Sequence, residues 1–159
     1  MSLKSSDDRM SPADIDHADL DIDTARAVLA GQPFNTMIGA DLTGFGDGSA
    51  ELVLTIEPRH RQQYGVVHGG VLAYLADNVV TFAAATRLGS QVLTSGVDVS
   101  YLRAARAGTL RAIGTVVRHT DALAIGRVEI WNDRPDAPDP LLCAIAQGTV
   151  VASPARTRR

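Results

Sequence analysis

The amino-acid sequence predicts an α+β fold, with one long apolar helix lying across a curved antiparallel sheet of five to six strands. Three observations carry this prediction. Residues 68–86 run without proline, carry apolar side chains at helical spacing and contain almost no charge. Segments on either side of that run alternate apolar and polar residues in the manner of half-buried strands. Several of the links between those segments are short, as antiparallel neighbours allow.

In chain order, Ile22–Ala30 places Ala25, Val28 and Leu29 at helical spacing, and Gly31 with Pro33 ends the segment. The period then changes. Met37–Thr43 and Ser49–Glu57 approach strict alternation around the turn sequence GFGDG, which reads as a hairpin. Pro58–Val67 is a polar connection. The central helix follows over His68–Thr86, with Val71, Leu72, Leu75, Ala76, Val79, Val80 and Ala83 recurring at helical spacing and Gly89 beyond its end. So uncharged a helix must be wrapped, and only the strand-forming remainder can do it. That remainder gives four strands, about Val92–Arg103, Gly108–Thr120, Ala122–Asp133 and Leu141–Ala152. The links AARAG and HTD suggest antiparallel neighbours, and the proline-rich loop NDRPDAPDP separates the last pair.

A chain of 159 residues has room for one domain, expected over 19–152. Residues 1–18 are rich in Ser and Asp and are expected to be a disordered tail, and 153–159 a flexible basic one with Arg156, Arg158 and Arg159. A net charge of −3 argues against nucleic acid as a partner. The N-terminus lacks the apolar stretch of a secretion signal, and no membrane span is expected. Cys143, flanked by Leu141, Leu142, Ala144 and Ile145, reads as a buried thiol in a reducing, cytoplasmic setting. His17, His60, His68 and His119 are scattered, so no metal site is expected, and no phosphate loop or nicotinamide fingerprint is present.

One acid, Asp77, interrupts the apolar helix, where an unpartnered carboxylate costs several kcal/mol. It either pairs or faces solvent for structural reasons, or it serves chemistry. Thr81 lies one turn later on the same face and could hold the carboxylate or orient a water. The helix start gathers unpaired N–H groups and the positive end of the dipole, and Gly69 with Gly70 puts no side chain in the way of a carbonyl oxygen. That suits a developing oxyanion; a tight strand-to-helix junction explains the same glycines without chemistry. His68 and Asp77 stand nine residues apart, roughly 13 Å along the axis and about half a turn around it. They cannot both reach one bond, so if they collaborate, a second copy of the chain must supply one of them.

Gln62, Gly65, His68-Gly69-Gly70, Leu75-Ala76-Asp77 and Tyr101-Leu102-Arg103 together resemble the hotdog-fold acyl-CoA thioesterases, in particular the PaaI-like branch with its G-x-x-H-G-G-x(6)-D pattern. The resemblance covers about residues 34 to 152. It implies a helix enclosed by an antiparallel sheet and a homo-oligomer, dimer or tetramer, with active sites between subunits. The Gly69 N–H would polarise the thioester carbonyl, and Asp77 of the opposite subunit would act as nucleophile or as base for water. By the same resemblance His68 would fix the helix start, Gln62 would contact the thioester or the lytic water, and Thr81 would lend a supporting hydroxyl. Gly70 would lie against the substrate, and Thr94 and Ser95 straddle a position where some relatives place a water-positioning serine. Arg103 and Arg106 would meet the CoA phosphates, to which a guanidinium is suited; Ala104 stands where relatives often have proline. No cofactor is implied beyond the CoA of the substrate itself. A noncatalytic acyl-CoA-binding module on the same fold is the rival reading; an enoyl-CoA hydratase would need an acid and histidine signature that is not found.

Overall fold

The structure is a computed structural model that describes residues 20–153, so both expected tails lie outside the described residues or at their margin. α1 spans Ile22–Ala30, as the periodicity predicts, and Asp21 caps it by accepting from the Thr24 N–H at 2.8 Å. Next comes a short helix that the alternation concealed, α2, Pro33–Ile38. Pro33 sits in its first turn, and Gly39 ends it in the left-handed region at φ 84°. The first strand of the hairpin therefore begins later than the sequence suggested. β1 is Asp41–Gly46 and β2 Ser49–Thr55, joined through Asp47 and Gly48, both at positive φ as a tight hairpin loop requires.

The connection after β2 is not merely polar. It contains a 3-10 turn at Pro58–His60 in which His60 is only 2% exposed. The Glu57 N–H donates to His60 Nδ1 at 3.0 Å, which leaves Nε2–H to donate to the Ile38 carbonyl at 2.8 Å. The His60 carbonyl accepts from the His68 N–H at 2.8 Å, so one buried histidine ties the end of α2 to the approach of the long helix.

That helix, α3, spans Gly69–Leu88, two residues beyond the predicted end, and Gly89 stops it. By length and mean hydropathy (1.2) it could pass for a membrane span, yet 67% of the window is buried within the domain. The burial comes from a six-stranded antiparallel sheet that adds β3 (Val92–Tyr101), β4 (Thr109–His119), β5 (Leu123–Asp133) and β6 (Leu141–Ala152) in the order β1-β2-β4-β5-β6-β3. HTD joins neighbours, but AARAG does not. β3 pairs with β6 at the far edge, because the seven residues 102–108 can extend about 23 Å and need cross only three strand spacings, about 14 Å.

Val79 and Val80 of α3, both 0% exposed, sit on a row of glycines, one each on β4, β5 and β6. A methyl at Gly114 would stand 2.7 Å from the Val79 carbonyl oxygen, and methyls at Gly126 and Gly148 would stand 2.5 and 2.8 Å from the Val80 side chain. The helix packs directly onto the sheet at this row. Cys143 is fully buried on β6, and burial pushes its thiol pKa up. Gly114→Ala should destabilise the domain by about 1–3 kcal/mol, since backbone rather than a flexible side chain must yield; urea denaturation measures this.

Candidate active site

At the start of α3 the His68 ring caps the helix. Its Nδ1 accepts from the Gly70 N–H at 2.8 Å, so that donor is already engaged. The Gly69 N–H has no hydrogen bond among the described residues. Tyr101, at the end of β3, reaches across to donate its hydroxyl to the Gly69 carbonyl at 3.1 Å, and a methyl on Gly69 would lie 3.3 Å from its ring. Glycine thus lets the Tyr101 ring approach closely, and a side chain there would have to displace the exposed ring by a few tenths of an ångström.

Two turns along, Asp77 is half-buried. Its Oδ1 is buried with no hydrogen-bond partner among the described residues, a costly arrangement that structure by itself does not repay. Of the two roles left open, holding the carboxylate or orienting a water, the structure does not show the first for Thr81. Its hydroxyl donates to the Asp77 main-chain carbonyl at 2.8 Å and lies 2.6 Å from the Thr94 hydroxyl, because a threonine four residues on reaches the backbone carbonyl more readily than the side chain above it. Thr94 thus points inward, onto α3. Ser95 sits in the β3 bulge between Thr94 and Gly96 and is exposed, so the structure separates the two residues that the sequence left side by side.

Asp77 opens onto a groove of about 520 Å³ that also reaches Gly70 and Tyr74 on α3, Phe34 on α2, and Val97 and Val99 on β3. The Phe34 and Tyr74 rings pack 5.2 Å apart. Tyr74 donates to Asn35 Oδ1 at 2.7 Å; Asn35, buried on α2, also accepts from the Ala40 N–H and donates to the Ala40 carbonyl. Tyr74 and Asn78 were not singled out in the sequence, although their spacing from Asp77 along one helix could have found them. Phe34 and Asn35 were not legible, since their helix lay where only a loop and then a strand were expected.

Gln62 opens a turn closed by Gly65 (φ 74°), whose N–H donates to the Gln62 carbonyl at 2.9 Å; its side-chain amide makes no hydrogen bond among the described residues. Arg103 and Arg106 are both exposed on the link after β3. Arg106 donates to the Tyr64 carbonyl at 3.4 Å, which joins this link to the Gln62 turn, while Arg103 makes no side-chain hydrogen bond among the described residues. Among those residues no three His, Cys, Asp or Glu side chains gather as a metal set.

Burial, and secondarily the charge of Asp77, push the Tyr74 phenol from 10.0 up to about 12. The unfolded chain releases that proton more easily, so the stabilisation is complete below pH 10 and is lost as pH rises towards about 12. Alkaline urea titrations should show this loss in the wild type and not in Tyr74→Phe.

Residues 64–138 match the family model of the Thioesterase superfamily. The chain is 31% identical over 78 residues to the proofreading thioesterase EntH of Cronobacter turicensis, covering 48% of this chain and 57% of that one. It is 22% identical over 113 residues to the 1,4-dihydroxy-2-naphthoyl-CoA hydrolase of Escherichia coli, covering 65% and 83%. Among solved structures it resembles a variant of the phenylacetic acid degradation protein PaaI from Thermus thermophilus, with a TM-score of 0.68 and 26% identity over 77% of this chain and 100% of that one. A long helix held in a six-stranded antiparallel sheet gives the chain a hotdog fold, and these matches make it similar to the thioesterase superfamily, whose members among them are named as thioester hydrolases and PaaI proteins.

Proposed function

We propose that the chain hydrolyses an acyl-CoA to the free acid and CoA, at sites that join the helix start of one subunit to Asp77 of another. The observation that carries this reading is the buried, unpartnered Oδ1 of Asp77 on the same helix as an unpaired Gly69 N–H. Eight residues of helix separate the two by about 12 Å, too far for both to act on one carbonyl within a single chain. A second copy removes the conflict. β3 favours that copy: it is a ten-residue edge strand whose Leu93 and Tyr101 are 62% and 55% exposed, a row of open backbone groups that a partner strand would cover.

In this arrangement the thioester oxygen accepts from the Gly69 N–H at the positive end of α3, where negative charge developing on it is stabilised. Asp77 takes a proton from water as the water oxygen bonds to the carbonyl carbon. The carbon–sulfur bond then breaks, and the proton passes to the departing CoA sulfur. The alternative is direct attack by the carboxylate, giving a mixed anhydride that water opens to the same products. His68 holds Gly70 and thereby the helix start. Gln62 offers a free amide to the carbonyl or the water, Thr81 and Thr94 brace the backbone beneath Asp77, and Ser95 stands exposed at the β3 bulge with its hydroxyl open to water. Arg103 and Arg106 supply positive charge for the CoA phosphates. The assembly is a dimer or a dimer of dimers.

Release of free thiol from a panel of acyl-CoAs tests the activity; tight binding with no thiol over hours would mean a binding module instead. Asp77→Asn should lower kcat by on the order of a hundredfold or more with the fold retained, as for a group acting mainly in the transition state. Wild-type turnover in that variant would remove the assignment. Mixing His68→Ala with Asp77→Ala should recover part of the activity, since a hybrid dimer rebuilds one whole site. No recovery despite demonstrated subunit exchange would mean that the site is not shared.

A further inference from the structure

One face of α3 stays off the sheet, and it does not end at Asp77. Past the groove the same face continues through Asn78, Thr81, Phe82 and Ala85 into a second cavity of about 140 Å³. Gln32 and Asn78 line both spaces, so they form a shared mouth between them. Beyond that mouth the walls are apolar: Val28 of α1, Phe45 of β1, Phe82 and Ala85 of α3 and Val92 of β3. The Thr81 hydroxyl, which also faces this space, is already engaged by the Asp77 carbonyl and Thr94, and Ser90 is likewise not free.

We infer that this second cavity receives the distal part of the acyl group, and that the substrate class is a linear aliphatic acyl-CoA of medium length. The inference rests on the thioesterase reading and adds its specificity. Its size is suitable, since an apolar cavity of about 150 Å³ holds a hydrocarbon of benzene size. Its position selects the shape. The reacting carbonyl belongs beside Asp77, whereas the cavity lies between the levels of Thr81 and Ala85, about 6 to 12 Å further along the helix. An aromatic ring one or two bonds from the carbonyl stops in the first groove, short of the cavity. A flexible chain passes the Gln32–Asn78 mouth and reaches it. With the Thr81 hydroxyl engaged and no charged side chain lining it, the cavity suits an alkyl end rather than a second carboxylate. Val28 and Ala85 then act as specificity-determining residues, because each can fill the cavity without touching the groove at Asp77.

The test compares kcat/KM for butyryl-, octanoyl-, palmitoyl- and phenylacetyl-CoA in the wild type and in Val28→Phe, with Ala85→Leu as a second variant that fills the same space from the helix side should the first not fold. The expected result is that octanoyl-CoA leads in the wild type and that its ratio to butyryl-CoA falls at least tenfold in either folded variant, a change on the scale of a few methylenes lost from an apolar pocket. An unchanged ratio, or phenylacetyl- or palmitoyl-CoA leading in the wild type, overturns the inference. Calorimetric binding of octanoate separates this outcome from a failure of the catalytic reading. If no thioester is cleaved, octanoate affinity that falls at least tenfold in the filled variants still supports the cavity as an alkyl site, and affinity that does not change overturns it.

Discussion

The structure depends on how closely α3 lies against the sheet. At Gly114 of β4 there is no room for even a methyl group between strand and the Val79 carbonyl, and Gly126 and Gly148 repeat the condition under Val80. Van der Waals attraction falls off steeply with separation, so a helix seated at this depth gains contacts that a raised one forfeits. Leu75, Val79 and Val80 are completely buried as a result, each worth about 1.5–3 kcal/mol. The same seating orients the helix about its axis. With the glycine row holding one side, the face carrying Gly70, Tyr74, Asp77 and Asn78 is turned out of the sheet and into the groove. The position of the carboxylate is therefore a consequence of where the valines are clamped.

What the sheet leaves open is bounded by polar bonds from α2 and the turn before α3. Asn35 accepts from Tyr74 and bonds both backbone groups of Ala40, and His60 holds the end of α2 at the Ile38 carbonyl. Buried polar groups of this kind stabilise only when all are satisfied, and here they fix a six-residue helix too short to persist unaided. Phe34 is thereby held against Tyr74 as one wall of the groove. The helix start is fixed by the same cluster, through the His60 carbonyl to the His68 N–H, and then by the His68 ring to Gly70. A capping histidine occupies one of the two glycine donors and leaves Gly69 as the open one, a division of labour between neighbouring amides.

Several features were legible in the sequence because they follow from local periodicity. All five of the longest elements appear within two residues at either end, and the interior acid and the glycine pair at the helix start follow from spacing along one helix. The short helix α2 was not legible, because its six residues are too few to show a period and Met37–Thr43 alternates well enough to pass for a strand. The pairing of β3 with β6 was not legible either. A five-letter link looks like a neighbouring turn, yet with β3 ending at Tyr101 the seven residues 102–108 are long enough to cross three strand spacings.

The sequence by itself determined that an apolar helix with a single acid must be enclosed by strands, since neither solvent nor a lone helix can satisfy that pattern. It also determined that Gly69 and Asp77 are two turns apart, because the rise of a helix is the same wherever it lies. Only the tertiary structure decided that the Asp77 oxygen lacks a partner, that Thr81 turns to Thr94 and the backbone, and that the groove continues into an apolar cavity under α1. Those properties belong to the space between elements distant in the chain. That space depends on packing depth, which no local pattern of residues records.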